Sequence, residues 1–487
     1  MPRLMSSPSP PSSSSSSSSN DTSYSLHHLL ALFILLAVLF PLTLLLAVSS
    51  TVKTPSINMT GGSRVLGYII FHRHGHRAPA RNVLSASFDK AVSSSEEQTL
   101  WLRLMPSESL LRRITTSFEL DIHDANPIEP DRLSFPFGAI TSRGDIINQC
   151  YVTFLCDSLL FVFFGDTGIN HLIEVGEKVG ARFPLIKKAH QVDIVATNYQ
   201  RTQLSVQAML TGLGLEDITE RNMKVKVRDI QHCAMSFYEG NPRLVSRLFK
   251  EIQELEDFQR LEEPMNTISA ALLETFPLMA KKENSSKIDW LAAFDYFACR
   301  DAHNLSISEK LTKNTPYSEL VQNHMANRMA MYLRSGGEHI KLAAGPLLRD
   351  MKVSSQRIAK DAGENQDDAN ISVHIYSGHD VNILGLLYAL EADPDLINPP
   401  FWPGYGSSVI VEVLQQGNMN LYYETEPLKI RNIKRMSSTI SDELISTISA
   451  HDLDEILGSV FLGEDQHQRV LQEHRTPLSV DGDKSEL

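Results

Sequence analysis

The chain has 487 residues, of which 42% are hydrophobic and 21% charged, so it can bury one large core or two smaller ones. Its formal net charge is −13 at pH 7. A nucleic-acid-binding protein needs a basic surface, and we therefore expect no nucleic acid partner.

Three segments precede the first pattern of a globular domain. Residues 1–28 are a low-complexity tail, rich in serine, that cannot build a core. Residues 29–48 form an apolar, uncharged segment, and this segment is long enough to span a bilayer. We favour a transmembrane signal anchor there, with a cleaved signal peptide as the alternative. Residues 49–64 would then form a stalk.

An anchor or a signal peptide would direct the rest of the chain into the secretory pathway. We expect a single-pass membrane protein whose folded domain is luminal or extracellular, with a secreted or lysosomal protein as the alternative. In such a compartment Cys233 and Cys299 could form a disulfide, or they could be two buried free thiols. N-glycosylation patterns agree with this route, and they lie at Asn58, Asn284, Asn304 and Asn370.

The first strand pattern of the domain ends in basic residues. Residues 65–71 form an apolar run that is typical of a buried strand. Arg73, His74 and Arg77 follow where the strand gives way to a loop. Arginine forks onto phosphate oxygens, and a histidine between two arginines is placed to attack the anion that they hold.

Two other interpretations fit this segment when it is taken alone. His72, His74 and His76 alternate and could share a metal ion, but the neighbouring arginines would repel a cation, and we predict no metal site. The segment could also be a basic turn without chemistry, because glycine and proline mark turns.

Two further strand patterns also end in polar residues. Residues 192–196 lead through a short loop to Arg201 and a helical pattern. Residues 373–376 lead to His379 and Asp380, and again a helical pattern follows at once. This order predicts an α/β fold with a mostly parallel sheet flanked by helices. Ligands bind at the carboxyl ends of such strands, so we expect the polar residues to meet there.

The middle of the chain has a different pattern. Residues from about 215 to 335 are mostly amphipathic and helical. We predict that they form a helical cap, inserted between two strands and closing over a pocket. The folded domain would extend over residues 65–463, and residues 464–487 would be a loose polar tail.

Three short segments carry a resemblance to a known family. Residues 73–79 match the whole pattern R-H-G-x-R-x-P of the histidine acid phosphatases, and residues 376–380 match their second signature, which ends in His-Asp. Residues 198–202 look like the segment with a further phosphate-binding arginine. The chain thus resembles this branch of the phosphoglycerate mutase-like superfamily, with weaker similarity at residues 294–304 and 405–408.

The resemblance implies a two-step hydrolysis of phosphate monoesters that needs no cofactor. His74 would be the nucleophile and form a phosphohistidine, and Asp380 would protonate the leaving alcohol and then assist the attack of water. Positioned cations suit this reaction because negative charge spreads over the phosphoryl oxygens in the transition state. The side chains implied to bind those oxygens are Arg73, Arg77, Arg201 and His379.

One segment departs from the family pattern. Residues 145–168 separate two halves of a motif that is continuous in the family, and they contain an apolar run and two of the four cysteines. We favour translated intron sequence as the origin of this insertion, with a surface insertion or a second membrane span as alternatives. If the segment is present in the mature protein, it would disturb the helix that leads toward Arg201.

The substrate class is open within small phosphate monoesters. A general acid phosphatase is our first interpretation, and a phytase or a phosphatase specific for lipids or sugars is the alternative within the family. From another class, an anchored and catalytically inactive binding module would have the same fold. A homodimer also remains open.

Overall fold

The computed structural model describes residues 63–84, 95–126, 135–141, 168–215, 223–231, 233–282, 285–307, 311, 315–334, 337–364, 371–397, 400–431 and 444–474. The predicted tail 1–28 and anchor 29–48 lie outside these residues, as do most of the stalk 49–64 and all but the last residue of the insertion 145–168. Within the described part of the chain, no helix is both long and apolar enough to cross a membrane.

The strands are short except at the centre of the main sheet. In chain order they are β1 (Val65–Arg73), β2 (Glu119–Ile122), β3 (Ala189–Ala196), β4 (Lys224–Val227), β5 (Ile371–Gly378), β6 (Ser408–Leu414), β7 (Asn418–Tyr423), β8 (Glu426–Pro427), β9 (Ile430–Arg431), β10 (Leu444–Ile445) and β11 (Thr447–Ser449).

Helices connect most of these strands, and a helix follows β3 and β5 closely, as the sequence pattern predicts. They are α1 (Ser95–Arg103), α2 (Glu108–Thr115), α3 (Gly168–Arg182), α4 (Gln200–Gly212), α5 (Phe237–Gly240), α6 (Pro242–Gln253), α7 (Glu256–Glu262), α8 (Asn266–Thr275), α9 (Trp290–Ala302), α10 (Tyr317–Arg334), α11 (Glu338–Ala343), α12 (Gly345–Glu364), α13 (Asp380–Ala389), α14 (Pro394–Ile397), α15 (Ala450–Val460) and α16 (Glu464–His474). Short 3₁₀ turns occur at Pro184–Lys188, Ala234–Ser236, Glu263–Met265, Pro277–Met279 and Gln415–Gly417.

The main sheet has the order β11-β7-β6-β1-β5-β3-β4-β2, with β8 beside β7. Strands β1, β5, β3, β4 and β2 pair in parallel, and β6, β7, β8 and β11 pair antiparallel on the other side of β1. Strands β9 and β10 form a separate ribbon. The predicted α/β fold with a mostly parallel sheet flanked by helices is therefore confirmed.

Both faces of the sheet are buried, which explains the continuous apolar run of β1. Successive side chains of a strand point to opposite faces. Tyr68 and Ile70 accordingly pack in a cluster with α3 and α4, while Ile69 and Phe71 pack in a second cluster with residues of the helical segment. The sheet is thus the middle layer, and its strand ends are the exposed places where a site can form.

The interval predicted to form a cap, from about residue 215, contains a strand of the main sheet near its start. Lys224–Val227 is strand β4, which pairs in parallel with β3 and β2, so the helical segment begins only after Val227. The strand is four residues long with alternating burial, and so short a pattern is easily overlooked. Helices α5 to α12 then fill the interval between β4 and β5.

The boundary at residue 463 is also wrong. Residues 464–474, predicted to begin a loose tail, form helix α16. Leu471 is only 4% exposed and packs in a cluster with Leu244 and Leu248 of α6. Val470 packs against the same cluster, so two neighbouring apolar side chains attach this otherwise polar helix to the domain.

Candidate active site

Three adjacent parallel strands bring the predicted site residues to one edge of the sheet. Strand β5 lies between β1 and β3. Strand β1 ends at Arg73, β5 ends directly before His379, and the loop after β3 leads into α4, whose second residue is Arg201. Because the strands run in parallel, their carboxyl ends meet, as predicted for a ligand site.

The His74 side chain is buried and its tautomer follows from one hydrogen bond. Its Nδ1 lies 2.8 Å from the Gly75 carbonyl oxygen, which can only accept, so Nδ1 carries the proton and Nε2 carries the lone pair. Burial lowers the pKa of His74 well below its ordinary value, and the charges of Arg201, Arg77 and Arg73 lower it further. The imidazole is thus neutral and nucleophilic in mildly acidic solution.

The side chain of Arg73 is held on three sides. Its Nη1 donates to the Pro403 carbonyl oxygen at 2.5 Å, its Nη2 lies 2.8 Å from Asp380 Oδ2, and its guanidinium lies 4.0 Å from the centre of the Tyr405 ring. An arginine fixed in this way loses little further freedom when it binds an oxyanion.

The side chain of Arg77 is anchored by a carboxylate that the sequence did not identify. Its Nη2 lies 2.5 Å from Asp295 Oδ1, and both side chains are largely buried. Asp295 Oδ2 also accepts from the Ala80 amide at 2.5 Å, which fixes the loop after β1 to helix α9. Asp295 falls within residues 294–304, so the weak family similarity there was the available signal.

The Arg201 and His379 side chains share an aromatic neighbour, Tyr199. The Arg201 guanidinium lies 4.0 Å from the centre of the Tyr199 ring, and the His379 ring meets the same ring edge-on at 5.1 Å. His379 Nε2 lies 3.1 Å from Thr197 Oγ1, and the His379 and His74 ring centres are 5.5 Å apart. Burial lowers the pKa of His379 well below its ordinary value, and Arg201 adds to the effect.

The Asp380 carboxylate is the one predicted acid of the site. Besides Arg73, it accepts a hydrogen bond from the Trp402 indole, with Nε1 at 3.0 Å from Oδ2, and one from the Val381 amide. Burial raises the pKa of Asp380, but Arg73 and the Trp402 hydrogen bond lower it more, and the net shift is downward. The structure thus brings together all six predicted residues: Arg73, His74, Arg77, Arg201, His379 and Asp380.

One more carboxylate faces the site without a sequence signal. Glu239 Oε1 lies 3.9 Å from His379 Nε2. Burial raises the pKa of Glu239 to about 6, with Arg201 opposing the shift and Asp380 adding to it. Its residue neighbours along the chain match no catalytic pattern, so only the fold shows that it belongs to the site.

The other histidines of the first loop have separate surroundings. His72 Nδ1 donates to the Arg73 carbonyl oxygen at 3.1 Å, and the His76 ring stacks on Tyr405 with ring centres 4.7 Å apart. Among the described residues, no group of three or more His, Cys, Asp or Glu side chains is arranged to hold a metal ion.

The disulfide considered for Cys233 and Cys299 is not formed, and both are buried free thiols. They belong to different clusters, because Cys233 packs in the sheet-and-helix core while Cys299 Sγ lies 3.4 Å from the Tyr405 hydroxyl beside the site. Of the four predicted glycosylation sites, Asn304 is exposed, and Asn58, Asn284 and Asn370 lie outside the described residues.

Comparison with known proteins identifies the family. The model of the histidine phosphatase superfamily, branch 2, matches residues 65–427, and the chain belongs to this family, as the signatures predicted. A search of curated proteins found no match.

Solved structures with similar folds include two phytases and an inositol phosphatase. The phytase from Citrobacter braakii is 14% identical, with 82% of this chain and 98% of that chain covered and a TM-score of 0.43. The phytase from D. castellii is 13% identical, with 82% of this chain and 80% of that chain covered and a TM-score of 0.43. The multiple inositol polyphosphate phosphatase from Bifidobacterium longum is 11% identical, with 85% of this chain and 96% of that chain covered and a TM-score of 0.46.

Proposed function

We propose that the protein is an acid phosphatase that hydrolyses phosphate monoesters through a phosphohistidine on His74. The observation that carries the proposal is the state of His74, whose Nδ1 is occupied by the Gly75 carbonyl and whose Nε2 lone pair lies among cationic side chains. A neutral nucleophile in a cationic pocket suits an attack on an anionic phosphorus.

In the first step, His74 Nε2 attacks phosphorus and the bond between phosphorus and the alcohol oxygen breaks. Asp380 gives its proton to that oxygen, and the alcohol leaves. Arg73, Arg77 and Arg201 stabilise the charge on the phosphoryl oxygens, with His379 as an additional donor. A bound phosphate dianion offsets the arginine charges around Asp380 and so raises its pKa toward the protonated form that an acid needs.

In the second step, the ionised Asp380 takes a proton from water, and the water oxygen attacks the phosphohistidine. The bond between Nε2 and phosphorus breaks, and inorganic phosphate and neutral His74 are released. Asp380 ends the cycle protonated, ready for the next substrate, which balances the protons of the two steps.

We further propose that the enzyme works in the secretory pathway or outside the cell, anchored by residues 29–48. The uncharged length of that segment supports an anchor, and the exposed position of Asn304 supports glycosylation. A homodimer is compatible with this arrangement.

The test is hydrolysis of 4-nitrophenyl phosphate by the detergent-solubilised full chain between pH 4 and 8. We expect activity that is highest at acid pH and falls at least a thousandfold in His74→Ala, with His451→Ala as a control because this histidine is exposed. Equal rates for His74→Ala and the unaltered protein would overturn the proposal.

A further inference from the structure

Two aromatic rings lie beside the acid of the site. The Trp402 indole that donates to Asp380 packs against Phe294, with ring centres 4.4 Å apart. Phe294 is buried in the core on helix α9, whereas Trp402 is half-buried in the loop before β6. The half-buried indole ring thus lies next to the Asp380 carboxylate.

The position of Asp380 determines where a substrate's alcohol must lie. This step rests on the function proposed above, in which Asp380 protonates the leaving oxygen. The first carbons of the alcohol then lie within a few ångströms of that carboxyl, and hence beside the indole hydrogen-bonded to it. An apolar group there would remove apolar surface from water on both partners, and an aromatic ring would add a favourable ring contact.

A buried carboxylate lies beside the cations that would bind the phosphate. The arginines that lower the pKa of Asp380 are Arg73 and Arg77, and both belong to the phosphate pocket itself. Beside that pocket, Glu239 Oε2 is buried and has no hydrogen-bond partner among the described residues. Above about pH 6, where Glu239 is ionised, a second phosphate on this side would meet a carboxylate, which repels it.

We propose that the preferred substrates are monophosphate esters whose leaving alcohol is apolar and carries a ring at the Trp402 side, and that Glu239 in its ionised form disfavours polyphosphorylated esters. Trp402 therefore has two separable contributions. Its ring contacts the alcohol, and its Nε1 proton positions Asp380.

The ring contact is tested by 2-phenylethyl phosphate against ethyl phosphate. The two leaving alcohols have similar acidity and differ by the phenyl ring, so the ratio of their kcat/KM values isolates that contact. We expect the unaltered full-length protein to prefer the phenylethyl ester about tenfold, the effect of half-burying a ring. A ratio near one would overturn the proposal.

Variants of Trp402 separate its two contributions. Trp402→Leu should reduce the phenylethyl preference to less than threefold, while Trp402→Phe should retain the preference and lower kcat for both esters by a similar factor. Leu291→Ala is the matched control, because Leu291 lies on α9 with Phe294 but is 49% exposed. Should Trp402→Leu fold poorly, Trp402→Phe still decides: loss of the preference despite a retained ring would contradict the ring contact.

The role of Glu239 is tested with inositol 1-phosphate and inositol hexakisphosphate. We expect Glu239→Gln to raise the relative kcat/KM of the hexakisphosphate about three- to tenfold at pH 7, since one repulsive charge is removed. Glu274→Gln, which removes an exposed carboxylate on α8, should leave the ratio unchanged. An unchanged ratio in Glu239→Gln would overturn this part.

The same assays distinguish a failure of the proposed phosphatase function from a failure of the proposed substrate preference. If no ester is hydrolysed in a manner that depends on His74, the proposed function fails. If both alkyl esters are hydrolysed through His74 with equal kcat/KM, the phosphatase function stands and only the substrate preference is wrong.

Discussion

At the residue scale, the same arginines lower the pKa of both His74 and Asp380, with opposite consequences for the roles of the two residues. They keep His74 neutral, which its role as nucleophile requires, and they hold the pKa of Asp380 low, which opposes its role as acid. The bound phosphate resolves this conflict because its negative charge offsets the arginines. The proton donor is thus formed only when substrate is present.

If Asp380 protonates the leaving oxygen, its removal matters most for poor leaving groups. Asp380→Asn should lower kcat/KM about 10²- to 10⁴-fold for ethyl phosphate. For 4-nitrophenyl phosphate the loss should be much smaller, since 4-nitrophenolate leaves without a proton. The parameter kcat/KM is the one to compare, because it reports the phosphorylation step alone. An equal loss for both esters would argue that Asp380 acts only by positioning Arg73.

Glu239 should contribute to the decline of activity toward neutral pH. Its pKa is raised to about 6, so it is neutral below that pH and becomes a carboxylate above it, facing Arg201, His379 and Asp380. The carboxylate repels the phosphate dianion, and KM should therefore rise as the pH increases from 5 to 7.5. Glu239→Gln should remove most of that rise, about three- to tenfold, while Glu274→Gln retains it. If KM still rises with pH in Glu239→Gln, the rise is caused by the ionisation of another group.

At the scale of elements, the position of Arg201 depends on how α4 packs against α3. The two helices touch through glycines: a Cβ on Gly176 of α3 would lie 3.0 Å from Gly212 Cα and 3.0 Å from the Leu213 amide nitrogen. Backbone atoms cannot move aside as a flexible side chain can, so only glycine allows this close approach.

Gly176→Ala should destabilise the protein by about 1–3 kcal/mol, because α3 and α4 must separate. It should also raise KM, since α4 begins one residue before Arg201. Gly458→Ala is the matched control on α15, where a Cβ would meet no atom within 4 Å, and it should stabilise the protein by about 0.5–1 kcal/mol. Urea unfolding measures both changes, and equal stability of the two variants would contradict the close-packed helix pair.

The elements also show what a sequence can predict here. The positions of Arg73, His74, His379 and Asp380 were predictable because these residues lie at or just after the ends of two buried strands, and local sequence pattern carries that information. Contacts between segments distant in sequence were not: Asp295 reaches Arg77 from the helical segment, and Trp402 reaches Asp380 from the loop before β6. Strands β2 and β4 were missed because each is short and contains charged residues, so that neither forms an apolar run.

At the scale of the whole molecule, burial of histidines makes folding sensitive to acid. Burial lowers the pKa of His72 to about 4, and it lowers the pKa of His374 to about 4 as well, against 6.5 in an unfolded chain. Between these values the unfolded chain binds more protons than the folded one. The free energy of unfolding therefore decreases as the pH falls from 6.5 to 4, by about 3 kcal/mol per group at most.

Unfolding midpoints in urea should accordingly decrease from pH 7 to pH 5. His374→Gln should reduce that dependence, because glutamine takes up no proton, and His451→Gln should not, because His451 is exposed. The measurement is the slope of the urea midpoint against pH, compared among the unaltered protein, His374→Gln and His451→Gln. A slope in His374→Gln as steep as in the unaltered protein would show that His374 does not contribute.

The most direct test of the proposed mechanism is to trap the phosphoenzyme. Asp380→Asn should be mixed with radiolabelled 4-nitrophenyl phosphate and quenched in alkali, where phosphohistidine survives. The good leaving group permits phosphorylation, whereas the missing base slows the attack of water, so the intermediate should accumulate. We predict label on the peptide that contains His74, and none when His74→Ala is added. Turnover without label on His74, or label on another residue, would contradict the mechanism.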